Sequence, residues 1–243
     1  MRVFLNTQCA TLGTSATSRY VRALCQGLPS TTPPLDLTYF DYHWHKRPYS
    51  SSLPPRFRQK IWPIPARAGR WLFRRFPWLG FVNGRHDLMH LPDDTLAEAR
   101  ARHSLATLHM GGPLDRPDLF PAEVDRVRRW VMDVKNRRDG MITVSEHLRQ
   151  LVMADFGFPA DRIWSIPLGI DDEFRRGRCP APSRPRLLFV GWIRAAKNVP
   201  AVCAVFRKLL SKYPDLELML VGKQEVDTAT LHRWLGNDPL AIR

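Results

Sequence analysis

The sequence predicts an α/β protein organised as two domains on parallel sheets, the first complete and the second only begun. Three observations lead there. Short β-rich runs alternate with longer amphipathic ones from the first residues onward, the rhythm of βαβ units. A basic, proline-rich stretch around Cys179 interrupts that rhythm. A new strand, helix and strand then start at Arg186.

In chain order, the predicted strands of the first domain are Arg2 to Thr7, Leu35 to Phe40, Asp87 to Leu91, Ser104 to His109, Gly140 to Val144 and Arg162 to Ile170. Between the first two, Tyr20, Val21, Leu24, Cys25 and Leu28 recur at helical spacing, and Gly27 and Pro29 supply the stop, which predicts a helix over Ser18 to Leu28. Residues 1–174 form the first domain. Residues 175–185 (Arg175-Arg176-Gly177-Arg178-Cys179-Pro180-Ala181-Pro182-Ser183-Arg184-Pro185) carry no apolar period and read as a linker. Residues 186–243 open the second domain: strand Arg186 to Val190, a turn at Gly191, a helix Val199 to Leu210 with Val202, Phe206, Leu209 and Leu210 inward, strand Leu216 to Val221, and a last helical segment Thr228 to Leu235. A doubly wound sheet needs several more strands, so the second domain is expected to be unfinished.

Composition narrows the function classes. With 243 residues, 44% hydrophobic and 25% charged, the chain is globular. Cys9, Cys25, Cys179 and Cys203 are scattered, with no paired spacing and no histidine partners, so neither a metal site nor a cofactor is expected and a reducing, cytoplasmic home is. No apolar run is long enough to cross a membrane. The net charge of +14, from 37 Lys and Arg against 23 Asp and Glu, favours an anionic partner: nucleic acid, an acidic membrane surface or a phosphorylated small molecule.

Three segments discriminate among these. Met141 to Val144 ends in Val144-Ser145, and after a helical stretch a second strand runs through Ile163-Trp164-Ser165-Ile166 into Pro167-Leu168-Gly169-Ile170-Asp171. Leu187-Leu188-Phe189-Val190-Gly191 leads through Trp192-Ile193-Arg194-Ala195-Ala196 to Lys197-Asn198. Ala106-Thr107-Leu108-His109 precedes the loop Asp115 to Pro121. Read together, these resemble the family-4 glycosyltransferases, retaining enzymes of the two-domain GT-B type. The resemblance covers most of residues 100–223 and is looser over the first 30, through Gly13 and the helix start Ser18-Arg19-Tyr20. It implies a complete N-terminal Rossmann-like domain on the acceptor side and the first βαβ units of a second, donor-binding Rossmann-like domain. It implies hexosyl transfer from a nucleotide-diphosphate sugar to a glycan or lipid-linked acceptor, as in polysaccharide biosynthesis.

The chemistry fits those positions. A departing diphosphate gathers negative charge, which cations and helix N-terminal amides stabilise. By the resemblance Lys197 is the phosphate-binding lysine, with Gly191 and Arg194 on the same loop; the family's arginine directly after the glycine is Trp192 here. By the same resemblance His109 is the strand-end histidine that approaches the transferred sugar, although Met110 stands where an aspartate is common; a buried histidine satisfied by backbone is the alternative. At the first strand–helix connection, Gly13, Ser15 and Arg19 are candidates for acceptor or phosphate contact, with helix capping as the simpler role of Ser15. Ser145 reads as an N-cap and not a nucleophile.

From Pro54 to Trp78 the cations Arg56, Arg58, Lys60, Arg67, Arg70, Arg74 and Arg75 meet no acidic residue, and Phe57, Trp62, Trp71, Phe73, Phe76 and Trp78 are interleaved. That composition suits an interface with an anionic membrane, with Arg70, Trp71, Arg74 and Arg75 as contacts and the inner membrane face as location. It also suits a solvated helix whose rings pack inward. RNA binding is the weaker alternative, since no nucleic-acid motif accompanies the segment, and no nucleic-acid partner is expected.

The family's catalytically important pair of glutamates, separated by seven residues and holding the donor sugar and ribose, has no counterpart after Leu220. Glu225 and Asp227 are followed by Thr228-Ala229-Thr230-Leu231-His232-Arg233-Trp234. The expectation is a transferase by descent that is weakly active or inactive alone; a gene fragment, a frameshifted product, a split enzyme completed by a second polypeptide and a degenerate non-catalytic relative all give this pattern. The rival of a different class is a non-catalytic glycosyltransferase-like binding module.

Overall fold

A computed structural model of the chain describes residues 1–12, 15–42, 44, 57–94, 97–170 and 183–236. The chain divides into two compact units, Met1–Glu173 and Phe174–Arg243.

The first unit is built on a seven-stranded sheet in which every pairing is parallel: β1 (Arg2–Asn6), β2 (Asp36–Tyr42), β3 (Arg58–Trp62), β4 (Arg85–Leu91), β5 (Arg100–Leu108), β6 (Gly140–Thr143) and β7 (Ile163–Ser165). Their spatial order is β3-β2-β1-β4-β5-β6-β7. From β1 the chain steps outward to β2 and β3, and from β4 outward in the opposite direction, so the boundary between β1 and β4 is a topological switch point. All carboxyl ends lie on one rim.

The helices are α1 (Gln8–Leu12), α2 (Ala16–Gly27), α3 (Ala66–Arg75), α4 (Gly112–Asp115), α5 (Pro121–Arg137) and α6 (Glu146–Phe156). The period of two along β1 divides the core. Val3 and Leu5 join Leu37, Tyr39 and the α2 residues Val21 and Cys25. Phe4 joins Phe40, Tyr42 and Phe73 of α3, in one cluster with Met89, Val131, Met141 and Val152. Val127, Val131 and Val134 repeat at helical spacing and turn one side of α5 to that layer. Among the described residues no helix is long and apolar enough to cross a membrane.

The structure starts β5 at Arg100, four residues before the expected Ser104, and corrects the expected elements at both edges of the sheet. A strand, β3, lies inside the segment Pro54 to Trp78. Its sequence Arg58-Gln59-Lys60-Ile61-Trp62 has no apolar run because it is the outer strand of the sheet, where charged residues are the rule. At the other edge, β7 stops at Ser165 and not Ile170. The Ile166 amide still donates to the Thr143 carbonyl at 2.8 Å, and Pro167 then has no N–H to continue the ladder.

The second unit contains β8 (Arg186–Val190) and β9 (Glu217–Val221), paired in parallel, with α7 (Val199–Leu210) and α8 (Thr228–Leu235). Leu187, Phe189, Leu218 and Leu220 pack toward Val199, Cys203, Phe206 and Leu235. The inward set of α7 therefore begins at Val199 and runs 199, 203, 206; Val202 and Leu209 are half-buried on its flanks. On the opposite face of the pair, Leu188, Val190, Met219 and Val221 are exposed, Val190 to 71%.

Candidate functional site

Two rims carry the candidate chemistry. In the first unit, β5 ends at Leu108 and places His109 beside the switch point. Thr17 of α2, Asp93 and Asp94 after β4, His109 and Met110 after β5, and Arg126 and Trp130 of α5 line a pocket there. The His109 ring lies edge-on to Tyr20, centroids 4.8 Å apart. Its Nε2 is 2.9 Å from the Pro92 carbonyl oxygen, which only accepts, so Nε2 carries the hydrogen. Burial disfavours the imidazolium and lowers the His109 pKa, with the Pro92 contact opposing. Burial thus favours the neutral ring with its hydrogen on Nε2, in which Nδ1 is left as a hydrogen-bond acceptor. Behind it His90, fully inside the sheet, meets Thr107 Oγ1 at 2.9 Å; burial, and secondarily His109, pull its pKa down to about 4.

The charged groups of this pocket are partly committed. Arg126 pairs with Asp94 and reaches Met110 Sδ at 3.3 Å. Deeper on the rim, Thr11 Oγ1 donates to Asp41, a wholly buried residue at the end of β2 whose carboxyl is pushed up to about 6, first by burial. Burial also drives the Cys9 thiol far up, and Asp93 adds to it. Neither it nor Cys25, raised to about 12, can serve as a thiolate nucleophile.

Ser15 is the N-cap of α2: its Oγ accepts from the Ser18 amide at 3.1 Å and touches Ser18 Oγ at 2.9 Å. Arg19 is exposed on the same helix. Gly13 lies outside the described residues. Ser145 caps α6 in the same way, accepting from Leu148 N at 3.2 Å.

In the second unit, Gly191 follows β8 with φ 154° and Gly222 follows β9 with φ 148°. Their backbones meet so closely that a Cβ on Gly222 would lie 1.9 Å from the Gly191 carbonyl oxygen. The two loops are stitched by Gly191 N to Val221 O at 2.9 Å, Ile193 N to Lys223 O at 2.8 Å and Glu225 N to Ile193 O at 3.2 Å. Arg194 rises from this seam, half-buried, with Nη1 3.3 Å from Glu225 and its guanidinium 5.2 Å from the centre of the Trp192 ring. Lys197 closes a 3-10 turn, Ala195–Lys197, and is exposed. It sits one residue before the left-handed Asn198 (φ 57°) and not on α7 itself. The helix start adds little amide support: Pro200 has no N–H, and the Asn198 carbonyl accepts from Ala201 and Val202. Among the described residues Lys197 meets no acidic partner, while Arg194 is engaged on two sides.

The membrane-contact candidates Arg70, Trp71, Arg74 and Arg75 all lie on the outer side of α3 and are exposed. The interleaved rings divide: Phe73 is in the core with Trp62 against it, whereas Trp71 and Trp78 are exposed. Pro54 to Arg56 lie outside the described residues. Among the described residues no cluster could hold a metal ion.

Sequence reasoning missed the acidic pair Asp93-Asp94, Arg126 with Trp130, and Gly222. Each had a signal. The acidic doublet directly follows a strand and a proline, Arg126 and Trp130 are four apart on α5 and share a face, and Gly222 repeats the strand-then-glycine pattern of Gly191.

A sequence search of curated proteins gives no match. Solved structures give the fold. Sucrose-phosphate synthase from Thermosynechococcus elongatus is 16% identical with a TM-score of 0.61, covering 98% of this chain and 69% of that one. Anabaena HepE, described in complex with UDP-glucose, is 11% identical with a TM-score of 0.62, covering 98% of this chain and 66% of that one. The lipopolysaccharide outer core galactosyltransferase WaaB is 12% identical with a TM-score of 0.53, covering 100% of this chain and 67% of that one. The chain spans about two thirds of the length of these structures, and its fold class is theirs, GT-B. The family model of Glycosyltransferase Family 4 matches residues 17–174, the stretch that holds nearly all of α2, the strands β2 to β7 and His109. On that match over more than half of its length, the chain belongs to Glycosyltransferase Family 4.

Proposed function

We propose that this chain serves retaining hexosyl transfer from a nucleotide-diphosphate sugar to a glycan or lipid-linked acceptor on the cytoplasmic face of a membrane. The first unit supplies the acceptor side and the second the beginning of the donor side. The observation that carries this reading is the family match over residues 17–174, which includes the strand-end His109 in a pocket at the switch point. HepE, similar in fold, is described with UDP-glucose, which supports a uridine-diphosphate donor.

The family resemblance suggests the roles, and the geometry supports them. His109, neutral and with Nε2–H held by Pro92, would accept a hydrogen bond from a sugar hydroxyl through Nδ1 and orient the transferred sugar; it is not placed to act as an acid. As the bond from the anomeric carbon to the diphosphate oxygen breaks, charge gathers on the diphosphate, and Lys197 is the exposed cation to meet it. Arg194, held by Glu225 and Trp192, would shape the loop and contribute less. Ser15 and Arg19, with Gly13, stand where an acceptor or phosphate would approach the first rim, Ser15 through whatever capacity its cap leaves.

We further infer that further βα units, on a second polypeptide or on a longer form of this chain, complete the donor domain and bring the paired glutamates. A parallel sheet is ordinarily covered on both faces, and the face of β8 and β9 carrying Leu188, Val190, Met219 and Val221 is bare among the described residues. Donor-hydrolysis and transfer assays over a panel of nucleotide sugars, with this chain alone and mixed with the product of the adjacent reading frame, test the reading. Turnover on mixing only is the expected result. Robust turnover by the 243-residue chain alone would refute the need for a partner, and none in either case would leave the non-catalytic module.

A further inference from the structure

The outer side of α3 and the 3-10 turn that follows it, Pro77–Asn83, carry none of the residues that line the pocket at the switch point. The helix is bound to the sheet through Gly69 and Phe73. Gly69 lies so close to Tyr42 that a Cβ there would stand 2.9 Å from its ring, and Phe73 is wholly buried. At 100° per residue, the opposite arc carries Arg70, Arg74, Arg67, Trp71 and Arg75 in that angular order, all exposed. None is joined to a carboxylate among the described residues. The sequence holds no Asp or Glu at all between Asp41 and Asp87. The surface is therefore cationic without internal neutralisation.

It is also apolar in one continuous strip. Trp71 meets Phe76 at 6.0 Å, Phe76 meets Trp78 at 6.1 Å, and Trp78 stacks on Phe81 at 6.0 Å with 12° between the planes. Trp71, Trp78 and Phe81 are each more than 60% exposed, and Val82 beside them is exposed as well. The turn is held firmly: Gly80 is pressed against Glu98 and Ala99, and Asn83 Nδ2 donates to the Glu98 carbonyl at 2.7 Å. Fixed exposed rings of this size are costly in water and mark a surface that meets something.

We propose that this face docks on an anionic lipid bilayer, with Trp71, Phe76, Trp78 and Phe81 at the headgroup–acyl boundary and Arg67, Arg70, Arg74 and Arg75 on lipid phosphates. Charge complementarity and ring arrangement select this occupant. The rings close on one another as a single patch, which suits insertion, and leave no separated slots between which nucleobases would stack. The inference rests on the lipid-linked-acceptor part of the proposed function and gives it a surface; vesicle binding is measured without turnover, so either can fail while the other stands.

The test is co-sedimentation of the full chain with phosphatidylcholine vesicles, with and without about a third phosphatidylserine, at low and at physiological salt. We expect binding to the anionic vesicles at least tenfold tighter than to the neutral ones. Arg70→Gln, Arg74→Gln and Arg75→Gln together should abolish that preference, since each cation contributes roughly fivefold. Trp78→Ser with Phe81→Ser should weaken binding to both lipids, and quenching of tryptophan fluorescence by brominated lipid should fall with it. These side chains are exposed, so circular dichroism and the urea midpoint should stay as in the parent. Equal binding to neutral and anionic vesicles, or indifference to both variants, would overturn the proposal. So would tighter binding to polyuridylate RNA than to anionic vesicles at the same salt.

Discussion

Replacing Gly222 by alanine should damage the second unit more than the same change at Gly191, although both glycines end a strand with positive φ. An added Cβ at Gly191 meets only the Phe189 ring at 3.4 Å, ordinary contact, so the cost there is that of the backbone region alone, roughly 1–3 kcal/mol. At Gly222 the same strain applies and the new atom falls 1.9 Å from the Gly191 oxygen. Close carbon–oxygen contacts lie near roughly 3.3 Å, so the Gly191 peptide must move by more than an ångström. That breaks the hydrogen bond from Gly191 N to Val221 O, worth about 1 kcal/mol, and strains its neighbour at Ile193. The expected total is about 3–5 kcal/mol. Amide exchange of peptides covering 186–221, read by mass spectrometry, isolates this unit from the first. Gly222→Ala should accelerate exchange of β8 and β9 at least tenfold over Gly191→Ala. Equal rates for the two variants would show that the seam is not the constraint described, and the loop bearing Lys197 would then lack its support.

Asp41→Asn should flatten the pH dependence of the first unit's stability. The carboxyl is raised from 3.8 to about 6 in the fold, so its favourable contribution is complete below pH about 4 and lost as pH rises through about 6, leaving a cost of roughly 3 kcal/mol at neutral pH. Urea midpoints at pH 7 should therefore rise in the variant, less what the altered Thr11 bond takes back, and a fall would contradict the burial argument. The Glu98–Arg138 pair is inside the protein, with Nη2 to Oε1 at 2.6 Å and Nη1 to Oε2 at 3.0 Å. Arg138→Met should cost about 3 kcal/mol by leaving Glu98 only its longer contact with Arg137 at 3.4 Å, and Glu98→Leu added to it should restore most of the loss; a double variant as unstable as the single would argue against it. Nitrogen-15 spectra of the histidine rings should show His109 as the Nε2–H tautomer at pH 7 and His90 neutral down to about pH 4. A charged His109 ring at neutral pH would remove its role as hydrogen-bond acceptor.

What could be read from the sequence follows where one interaction dominates. Arg186 to Val190, Val199 to Leu210 and Thr228 to Leu235 have the bounds that apolar periodicity assigns them, because a local apolar pattern and a clear stop set each end. β3 was invisible because an edge strand carries charge where a central one carries apolar residues. The division of the Pro54 to Trp78 rings was not legible either: Phe73 and Trp71 are two residues apart with the same composition around them, and only the packing of α3 on Tyr42 sends one inward. At the site, strand-end positions located His109 and the Gly191 loop. Their committed partners, Pro92 for His109 and Glu225 for Arg194, arise from chain crossings that no local pattern encodes.

The proposed donor role of the loop Gly191 to Lys197 rests on an exposed Lys197 beside an Arg194 engaged by Glu225 and Trp192. Calorimetric titration of the chain with UDP and GDP, repeated for Lys197→Ala and Arg194→Ala, measures this. Loss of a charge-assisted contact of about 1.5–3 kcal/mol predicts a roughly tenfold to hundredfold weaker complex for Lys197→Ala and a smaller loss for Arg194→Ala. Unchanged nucleotide affinity in Lys197→Ala would contradict the assignment of this loop to the donor diphosphate.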